Sequence, residues 1–151
     1  ELANIKETDV VYDLYTGTGT IAQYIAKDAK KVIGIDSVEE GIMAAYQNAK
    51  QNKIDNCTFY TGDMKEIFTD EFIHQNEKPN VIITDPPRDG MHKKVIKQLL
   101  KINAERIIYV SCNSATQSRD IELMKDQYRV SKIQPVDMFP QTHHVENIII
   151  L

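Results

Sequence analysis

The sequence predicts an α/β domain with a doubly wound sheet of seven strands, mostly parallel, in which the last strand is antiparallel. Short apolar segments of strand length alternate with segments of helical spacing along most of the chain, and this alternation indicates a parallel sheet covered by helices on both faces. Near the C-terminus, two strand-like segments follow each other with only a short loop between them. Two strands joined in this way must be antiparallel, which explains the reversed last strand.

The first five strands are predicted from short runs rich in Val, Ile and Tyr, and the last two from longer apolar segments. Helical spacing after the second strand places four side chains on one apolar face: Ile42, Ala45, Tyr46 and Ala49. Two further helices are predicted at residues 92–101 and 114–127. The predicted strands are residues 10–14, 31–35, 57–60, 81–84, 106–110, 130–138 and 145–151.

Charge, cysteine count and the length of apolar stretches exclude several classes of protein. Eighteen Lys and Arg residues against 22 Asp and Glu residues give a formal charge of −4, so the chain lacks the overall basic charge of a self-sufficient nucleic-acid-binding protein. The two cysteines, Cys57 and Cys112, are too few for a disulfide framework and match no paired metal-ligand pattern, which favours a reducing compartment and no metal. We expect a cytoplasmic protein, because no apolar stretch is long enough to span a bilayer.

A glycine-rich turn is predicted between the first strand and the first helix, in the segment Tyr15-Thr16-Gly17-Thr18-Gly19-Thr20. Gly17 and Gly19 would let a ligand approach the backbone there, beside a helix N-terminus. Ala22 occupies the position of the third glycine in the dinucleotide-binding fingerprint, so the turn alone does not distinguish a ligand site from a tight turn.

Two acids follow the next two strands. Asp36 ends the second strand, where its carboxylate could accept hydrogen bonds from the ribose diol of NAD or S-adenosylmethionine. Asp63 follows the third strand, where it could meet an adenine amino group. Because ligands bind open α/β sheets at the carboxyl ends of the strands, both acids are candidate ligand contacts, although either alone could be a helix cap.

Candidate reacting groups follow the fourth and fifth strands. Asp85 is held stiffly by Pro86 and Pro87, at the sheet edge where a substrate and a cofactor would meet. Cys112 follows the fifth strand, and Glu146 comes 34 residues later in the last strand segment. A thiol with an acid indicates a nucleophile with a proton acceptor, which suits carbon methylation of a pyrimidine. The alternatives are an inert buried cysteine and a polar residue entering an edge strand.

Four motifs together resemble the RNA (uracil-5-)-methyltransferases, which form 5-methyluridine. The resemblance implies a Rossmann-like class I methyltransferase fold and the cofactor S-adenosyl-L-methionine. It covers nearly the whole chain, and its Ser-Cys-Asn and His-Val-Glu elements are the most specific. The motifs are Asp13-Leu14-Tyr15-Thr16-Gly17-Thr18-Gly19, Asp85-Pro86-Pro87-Arg88, Tyr109-Val110-Ser111-Cys112-Asn113, and Asp137-Met138-Phe139-Pro140 leading to His144-Val145-Glu146.

The resemblance also implies a role for each candidate residue. Cys112 is the nucleophile that adds to carbon 6 of a uridine, and Glu146 is the general base. An RNA substrate is implied as well, and residues 137–140 look more like the branch that modifies 23S ribosomal RNA than the branch that modifies transfer RNA. The residues implied around the cofactor are Tyr15, Gly17, Gly19, Thr20, Asp36, Asp63 and Asp85.

The chain departs from the family pattern in three ways. Ser114 replaces the Pro that usually follows Ser-Cys-Asn, and Thr16 replaces a common Cys, but neither change removes a reacting group. The family's cofactor-contacting Gln lies upstream of the first strand, in a segment that this sequence does not contain. Because an initiating Met is missing too, we expect residues 1–151 to be the catalytic domain of a longer protein whose N-terminal parts help to bind RNA.

Two other functions stay open at this point. Asp85-Pro86-Pro87 is also typical of methyltransferases that modify amino groups of nucleic acids and need no thiol, but those enzymes carry an aromatic residue where this chain has Arg88. A non-catalytic nucleotide-binding module could keep the same fold, because fold alone does not determine function.

Overall fold

The structure, a computed structural model, describes residues 3–138, 140–142 and 145–151. Within those ranges the strands are β1 (Val10–Leu14), β2 (Lys31–Asp36), β3 (Cys57–Thr61), β4 (Val81–Thr84), β5 (Arg106–Ser111), β6 (Lys132–Val136) and β7 (Glu146–Ile150). The helices are α1 (Thr20–Ala26), α2 (Glu39–Gln51), α3 (Met64–Ile67), α4 (Asp70–Asn76), α5 (Lys93–Ile102) and α6 (Ser114–Glu122).

These strands form one sheet in the order β3-β2-β1-β4-β5-β7-β6. Strands β1 to β5 run parallel to one another, whereas β7 runs antiparallel to both β5 and β6. This topology confirms the predicted sheet and its reversed last strand. The chain builds outward from β1 to β3 and then returns to place β4 on the other side of β1. Open α/β sheets bind ligands in the crevice at such a switch point, beyond the carboxyl ends of the strands.

The central strands fill two core layers, because a strand sends successive side chains to opposite faces of the sheet. Tyr12 of β1 packs in one layer together with Leu99 of α5. Its neighbour Val11 packs in the other layer together with Ala45 of α2. All four side chains are fully buried, so the sheet is a rigid support for the loops beyond its carboxyl edge.

The apolar face predicted for α2 is confirmed for Ile42, Ala45 and Ala49, which are buried, but Tyr46 is 47% exposed. The Tyr46 ring packs edge-on against Phe59, with 5.3 Å between ring centroids. Its hydroxyl donates a hydrogen bond to the Phe59 carbonyl at 2.8 Å. The polar end of the side chain explains the difference, because it reaches past the core to a partner at the edge.

Two predicted elements are clearly shorter in the structure, and β7 (Glu146–Ile150) lacks one residue at each end of its predicted range. The helix predicted at residues 114–127 ends at Glu122, and the chain continues in turns through Met124. Met124 is still buried, so the helical spacing of apolar residues extends beyond the helix itself. Strand β6 is shorter than residues 130–138, and most of its side chains are exposed. It is an edge strand, which suits Pro135, because proline cannot donate a backbone hydrogen bond.

Two kinds of feature are absent from the described part of the chain. No helix there combines the length and the apolar character that a membrane crossing requires. No group of three or more His, Cys, Asp or Glu side chains there is arranged to hold a metal ion.

Candidate functional site

The turn after β1 has the backbone conformation that its glycines predict. Gly17 and Gly19 have positive φ angles of 55° and 76°, in a region that favours glycine. A Cβ atom on Gly19 would lie 2.9 Å from atoms of both Ala45 and Phe59, so only glycine lets the turn lie this close to α2 and β3. Tyr15 also has a positive φ, of 65°, and strained non-glycine residues of this kind cluster at ligand sites.

Asp36, at the end of β2, braces this turn. Its carboxylate accepts hydrogen bonds from the backbone N–H of Gly17 at 2.8 Å and from that of Val38 at 2.9 Å. Each carboxylate oxygen has a second lone pair, so the side chain can accept further hydrogen bonds, as from a ribose diol. Asp36 therefore combines a structural role with remaining acceptor capacity beside the turn.

Asp63 lies at the same edge of the sheet, where it caps the N-terminus of α3. Its side chain accepts a hydrogen bond from the Lys65 N–H at 3.1 Å and pairs with Lys65 Nζ at 2.9 Å. The hydrogen bond and the positive charge of Lys65 hold the pKa of the Asp63 carboxyl below its usual value. Asp63 and Tyr15 line a cavity of about 180 Å³ together with Pro87 and His92. The turn after β1, the end of β3 and the loop after β4 therefore meet at one place.

The Tyr15 side chain is surrounded by acidic groups. Burial raises the pKa of Tyr15 to about 12, and the negative charges of Asp120, Asp63 and Asp36 add to this rise. The hydroxyl therefore stays neutral over the physiological pH range and can donate a hydrogen bond to a ligand.

Thr20 lies apart from this cleft. It is the first residue of α1, and its hydroxyl is 3.3 Å from the Thr18 hydroxyl. The Thr20 side chain lines a different depression, together with Gln23 and Asn48. The contacts of the described residues do not bring Thr20 to the cavity of Tyr15 and Asp63.

Asp13, inside β1, connects the turn after β1 to α1 through hydrogen bonds to its carboxylate. Its Oδ2 accepts hydrogen bonds from Thr16 Oγ1 at 2.6 Å and from the Ala22 N–H at 3.1 Å. Its Oδ1 is buried and has no hydrogen-bond partner among the described residues. Burial raises the pKa of Asp13 to about 7. A sequence signal for this residue existed, because an acid inside an otherwise apolar strand needs specific partners.

Asp85 lies between the turn after β1 and the last strand. Its N–H donates a hydrogen bond to the Leu14 carbonyl at 3.3 Å, so it lies next to the turn after β1. The residue reaches solvent, but the protein atoms around its carboxyl desolvate it and raise its pKa to about 6. The negative charge of Glu146 adds to this rise, so Glu146 lies near enough to affect Asp85.

The register of β5 and β7 brings the two candidate reacting residues together. Ser111 and Asn147 form the last pair of this antiparallel ladder. Cys112 follows Ser111 in a bend, and Glu146, the first residue of β7, precedes Asn147, so both adjoin the last pair of the ladder. The fold thus brings close two residues that are 34 positions apart in the sequence.

The turn that carries Cys112 is fixed by side-chain hydrogen bonds. Ser111 Oγ accepts from the Asn113 N–H at 3.0 Å and donates to the Asn113 carbonyl at 3.2 Å. The Asn113 amide group and the Thr116 hydroxyl donate to the Arg88 carbonyl at 3.1 Å and 2.9 Å. The turn around Cys112 and the loop after β4 therefore hold each other in place.

Asp120 of α6 supports the same loop, although no sequence motif singled it out. Its carboxylate is completely buried and accepts hydrogen bonds from the Met91 N–H at 2.7 Å and the Tyr109 hydroxyl at 2.8 Å. Gln117 is a second buried polar residue on α6. A signal for both was present, because residues 117, 120 and 124 share the helical spacing of a core-facing stripe.

The segment between β6 and β7 is only partly described. Met138 is 60% exposed, and Val145 is 45% exposed. Phe139 and His144, which belong to the motif that leads to Glu146, lie outside the described residues, as does His143.

The chain matches a known family along its full length. The matching family model is described as tRNA (uracil-5-)-methyltransferase and covers residues 1–151. A protein of Bacteroides thetaiotaomicron named uncharacterized RNA methyltransferase is 54% identical over 151 residues, which are 100% of this chain and 33% of the relative. A protein of Porphyromonas gingivalis with the same name is 54% identical over 153 residues, with the same coverage. The chain therefore spans about a third of the length of these curated relatives.

Solved structures agree with the sheet topology. The Pyrococcus abyssi tRNA (uracil-54, C5)-methyltransferase, in complex with S-adenosyl-L-homocysteine, superposes with a TM-score of 0.86 at 34% identity, over 99% of this chain and 36% of that chain. An rRNA methylase from Streptococcus thermophilus, 16% identical, shares the fold with a TM-score of 0.73 over 97% of this chain and 87% of its own. These likenesses confirm the class I methyltransferase fold. With a family model matched from end to end, the chain belongs to the tRNA (uracil-5-)-methyltransferase family.

Proposed function

We propose that this chain is the catalytic domain of an S-adenosylmethionine-dependent RNA methyltransferase that methylates carbon 5 of a uridine. The observation that supports the proposal is the register of β5 and β7, whose last pair, Ser111 with Asn147, directly adjoins Cys112 and Glu146. Asp85 lies beside the turn after β1 and is close enough to Glu146 to be affected by its charge, so the candidate reacting groups adjoin the candidate cofactor cleft. A thiol and an acid in this arrangement suit methylation at carbon.

The residues around the cleft suit S-adenosylmethionine. Asp36 has acceptor capacity for ribose hydroxyls, and Asp63 can accept a hydrogen bond from an adenine amino group. The ionised carboxyl of Asp63 at the edge of the cleft favours a positively charged ligand. When bound, this cofactor supplies an electrophilic methyl group. The complex of the Pyrococcus abyssi enzyme with S-adenosyl-L-homocysteine supports the same cofactor here, and the contact of Thr20 with it stays a prediction.

A thiolate is needed because carbon 5 of uracil is a poor nucleophile. When the Cys112 sulfur adds to carbon 6, the electrons of the double bond between carbons 5 and 6 shift toward the carbon 4 carbonyl, and carbon 5 becomes enolate-like. Once carbon 5 carries the new methyl group, Glu146 removes the remaining proton from it. The electrons of that C–H bond restore the double bond, and Cys112 leaves carbon 6 as a thiolate.

Asp85 is suited to hold the target base during this sequence. Because its pKa is about 6, a fraction of the Asp85 side chains carries a proton near neutral pH. A protonated carboxyl can donate a hydrogen bond, and such a donor stabilises negative charge on a carbonyl oxygen of the ring. Asp85 would therefore contact the target base as well as border the cofactor cleft.

The RNA substrate is proposed from the sequence and from similarity to related proteins. Residues 137–140 favour 23S ribosomal RNA, and transfer RNA is the competing substrate because the Pyrococcus abyssi relative is a tRNA enzyme. The target uridine must be flipped out of folded RNA before carbon 6 can reach Cys112. With a charge of −4, the chain should rely on other parts of the full-length protein to hold RNA. A reducing, cytoplasmic location fits its two free cysteines.

The test uses the full-length protein, S-adenosylmethionine, and unmodified ribosomal and transfer RNA. Nucleoside mass spectrometry should find 5-methyluridine with the parental protein and with the control variant Cys57→Ala, but none with Cys112→Ala. Methylated amino groups at an undiminished yield from Cys112→Ala would contradict the proposal and identify an amine methyltransferase. Binding of S-adenosylhomocysteine without methylation of any RNA would instead indicate a nucleotide-binding module.

A further inference from the structure

Gln117 of α6 links the two strands that carry the candidate reacting groups. Its side chain is completely buried. Its Nε2 donates hydrogen bonds to the Tyr109 carbonyl of β5 at 2.9 Å and to the Asn147 carbonyl of β7 at 3.0 Å. Its Oε1 accepts a hydrogen bond from Asn147 Nδ2 at 2.8 Å. Both amide hydrogens and the amide oxygen of Gln117 therefore have partners, and two of the three bonds go to Asn147.

These hydrogen bonds lie at the last residue pair of the ladder between β5 and β7, next to the site. Asn147 pairs with Ser111, and these two residues directly adjoin Glu146 and Cys112 in the chain. The ladder ends there, and strand ends open more easily than strand centres because fewer backbone hydrogen bonds hold them. The side chain of Gln117 therefore restrains β7 against β5 at the point where the ladder alone restrains it least.

An apolar residue would fill the space of Gln117 without needing any hydrogen-bond partner. A buried polar network whose members are all satisfied specifies one arrangement of the elements around it. We propose that Gln117 and Asn147 form a positioning pair that holds the Glu146 carboxylate at its working distance from Cys112. This inference rests on the proposed function and names residues that act through Glu146 rather than on the substrate.

Loss of the contact between Gln117 and Asn147 should slow one step of the reaction more than the others. Addition of Cys112 to carbon 6 and methylation of carbon 5 precede the action of Glu146, so both still occur when Glu146 is displaced. Elimination then slows, because Glu146 must take the carbon 5 proton while the C–H electrons restore the double bond and the carbon–sulfur electrons return to Cys112. A displacement of about 1 Å can slow such a step on the order of 100-fold. Methylated RNA bonded to Cys112 should therefore accumulate.

The test uses two variants of the full-length enzyme. Gln117→Leu keeps a similar volume and removes the amide, and Asn147→Ser removes the partner amide with a smaller change at the surface. We expect kcat to fall by about 10- to 100-fold in Gln117→Leu, with the KM for S-adenosylmethionine nearly unchanged. Denaturing gels and mass spectrometry should show a larger fraction of enzyme bonded to methylated RNA. The double variant should lose no more activity than the worse single variant, because both changes remove the same restraint.

Asn76→Leu is the matched control for the loss of a buried amide. Asn76 of α4 is 6% exposed, donates to the Phe72 carbonyl at 3.0 Å and accepts from the Tyr60 hydroxyl at 2.5 Å. Its replacement should lower stability, because it leaves buried polar groups without partners. The bonded fraction, measured per active enzyme, should stay at the parental value.

A parental kcat and a parental bonded fraction in Gln117→Leu would overturn the positioning role and leave the proposed function intact. If Gln117→Leu does not fold, Asn147→Ser decides the question by the same two readouts. A parental enzyme that forms no 5-methyluridine on any RNA would overturn the proposed function itself.

Discussion

At the scale of single residues, the two cysteines differ in the surroundings that control thiol reactivity. Burial raises the pKa of Cys57 to about 11, and the negative charge of Asp13 adds to the rise. The Cys57 thiol also donates a weak hydrogen bond to the Ala22 carbonyl at 3.7 Å. Cys112 instead lies in the bend after β5, at the carboxyl edge of the sheet, and Glu146 adjoins the same end of the ladder. Because the thiolate is the reactive form, Cys57 is protected from reaction.

We expect brief treatment with iodoacetamide at pH 8 to label Cys112 and to leave Cys57 almost unmodified. A thiol with a pKa of about 11 is only about 0.1% thiolate at that pH. Peptide mass spectrometry measures the two sites separately. Labelling should persist in Cys57→Ala and nearly vanish in Cys112→Ala. Equal labelling of both cysteines in the folded parent would contradict this assignment.

Asp13 should make stability depend on pH. Burial raises its pKa from 3.8 to about 7, so between these values the folded state keeps a proton that the unfolded chain releases. Stability therefore falls as pH rises through this window, because the unfolded state ionises first. From pH 5 to pH 8 the Asp13 contribution should lower the free energy of unfolding by on the order of 2 kcal/mol.

Asp13→Asn is the variant that isolates this contribution, because asparagine keeps an acceptor for Thr16 and Ala22 but does not ionise. Urea unfolding of parent and variant at pH 5 and pH 8 measures the effect. The parent should lose stability relative to the variant at the higher pH. Parallel changes in both proteins would show that Asp13 does not titrate in this window.

The sequence predicts the types of residue at the site, but only the local ones among their partners. Asp63 caps α3 by accepting from the Lys65 N–H, which is the alternative that its position before a helix predicts. Asp36 accepts from the Gly17 N–H, 19 positions away, and that contact depends on the fold rather than on a local motif. No local motif identifies Gln117 and Asp120, because their contacts are with other elements.

At the scale of elements, the loop after β4 lies directly against α6 at Gly90. Gly90 has a positive φ of 78°, and a Cβ atom there would lie 2.5 Å from Asp120 Oδ2 and 2.6 Å from Arg119 Nη2. The Met91 N–H donates to the same Asp120 oxygen at 2.7 Å. The loop that presents Asp85 is therefore held on α6 with no room for a side chain.

Gly90→Ala should accordingly be more destabilising than Gly17→Ala. Both glycines have positive φ, which costs an alanine about 1–2 kcal/mol, but nothing lies within 4 Å of a Cβ on Gly17. The collision at Gly90 should add about 1–3 kcal/mol to the loss in the free energy of unfolding. Denaturant unfolding of both variants without ligand measures the difference. Equal losses would mean that the loop moves away from α6 without cost.

The strands could be predicted from the sequence more fully than the contacts between them. Strands β1 and β4 have the predicted bounds, because runs of Val and Ile between turn residues are a strong local signal. The register of β5 and β7 has no such signal, because it depends on the loop before β7 and on contacts such as that of Gln117 with Asn147. The sequence therefore pairs Cys112 with Glu146 by their chemistry and by resemblance to a family, while the contact between their strands depends on the fold.

At the scale of the whole molecule, Arg106 of β5 ties the N-terminal segment to the edge of the sheet opposite the site. Its guanidinium donates to the Ala3 and Asn4 carbonyls at 2.9 Å and 2.5 Å and pairs with Asp9 at 2.6 Å. The Asp9 side chain is only 3% exposed, and its other oxygen accepts from Asn80 at 2.7 Å. This buried ion pair joins the segment before β1 to the starts of β4 and β5.

Arg106→Gln should lower the free energy of unfolding by about 3 kcal/mol, because it leaves the buried Asp9 carboxylate without its cation. Lys30→Gln is the matched control. It breaks the ion pair of Lys30 with Glu77, whose side chains are 54% and 47% exposed, and should cost at most about 1 kcal/mol. Denaturant unfolding compares the two. Similar losses would show that the contacts of Arg106 contribute no more than a surface pair.

The proposed mechanism depends on a covalent bond between the Cys112 sulfur and carbon 6 of a uridine in RNA. The most direct measurement incubates the full-length protein with S-adenosylmethionine and RNA that contains 5-fluorouridine. Fluorine at carbon 5 cannot leave as a proton would, so Glu146 cannot complete the elimination and the bonded species persists. Peptide mass spectrometry should find the methylated 5-fluorouridine nucleotide on the peptide that contains Cys112. No protein–RNA bond at Cys112, in an enzyme that still forms 5-methyluridine on ordinary RNA, would contradict this mechanism.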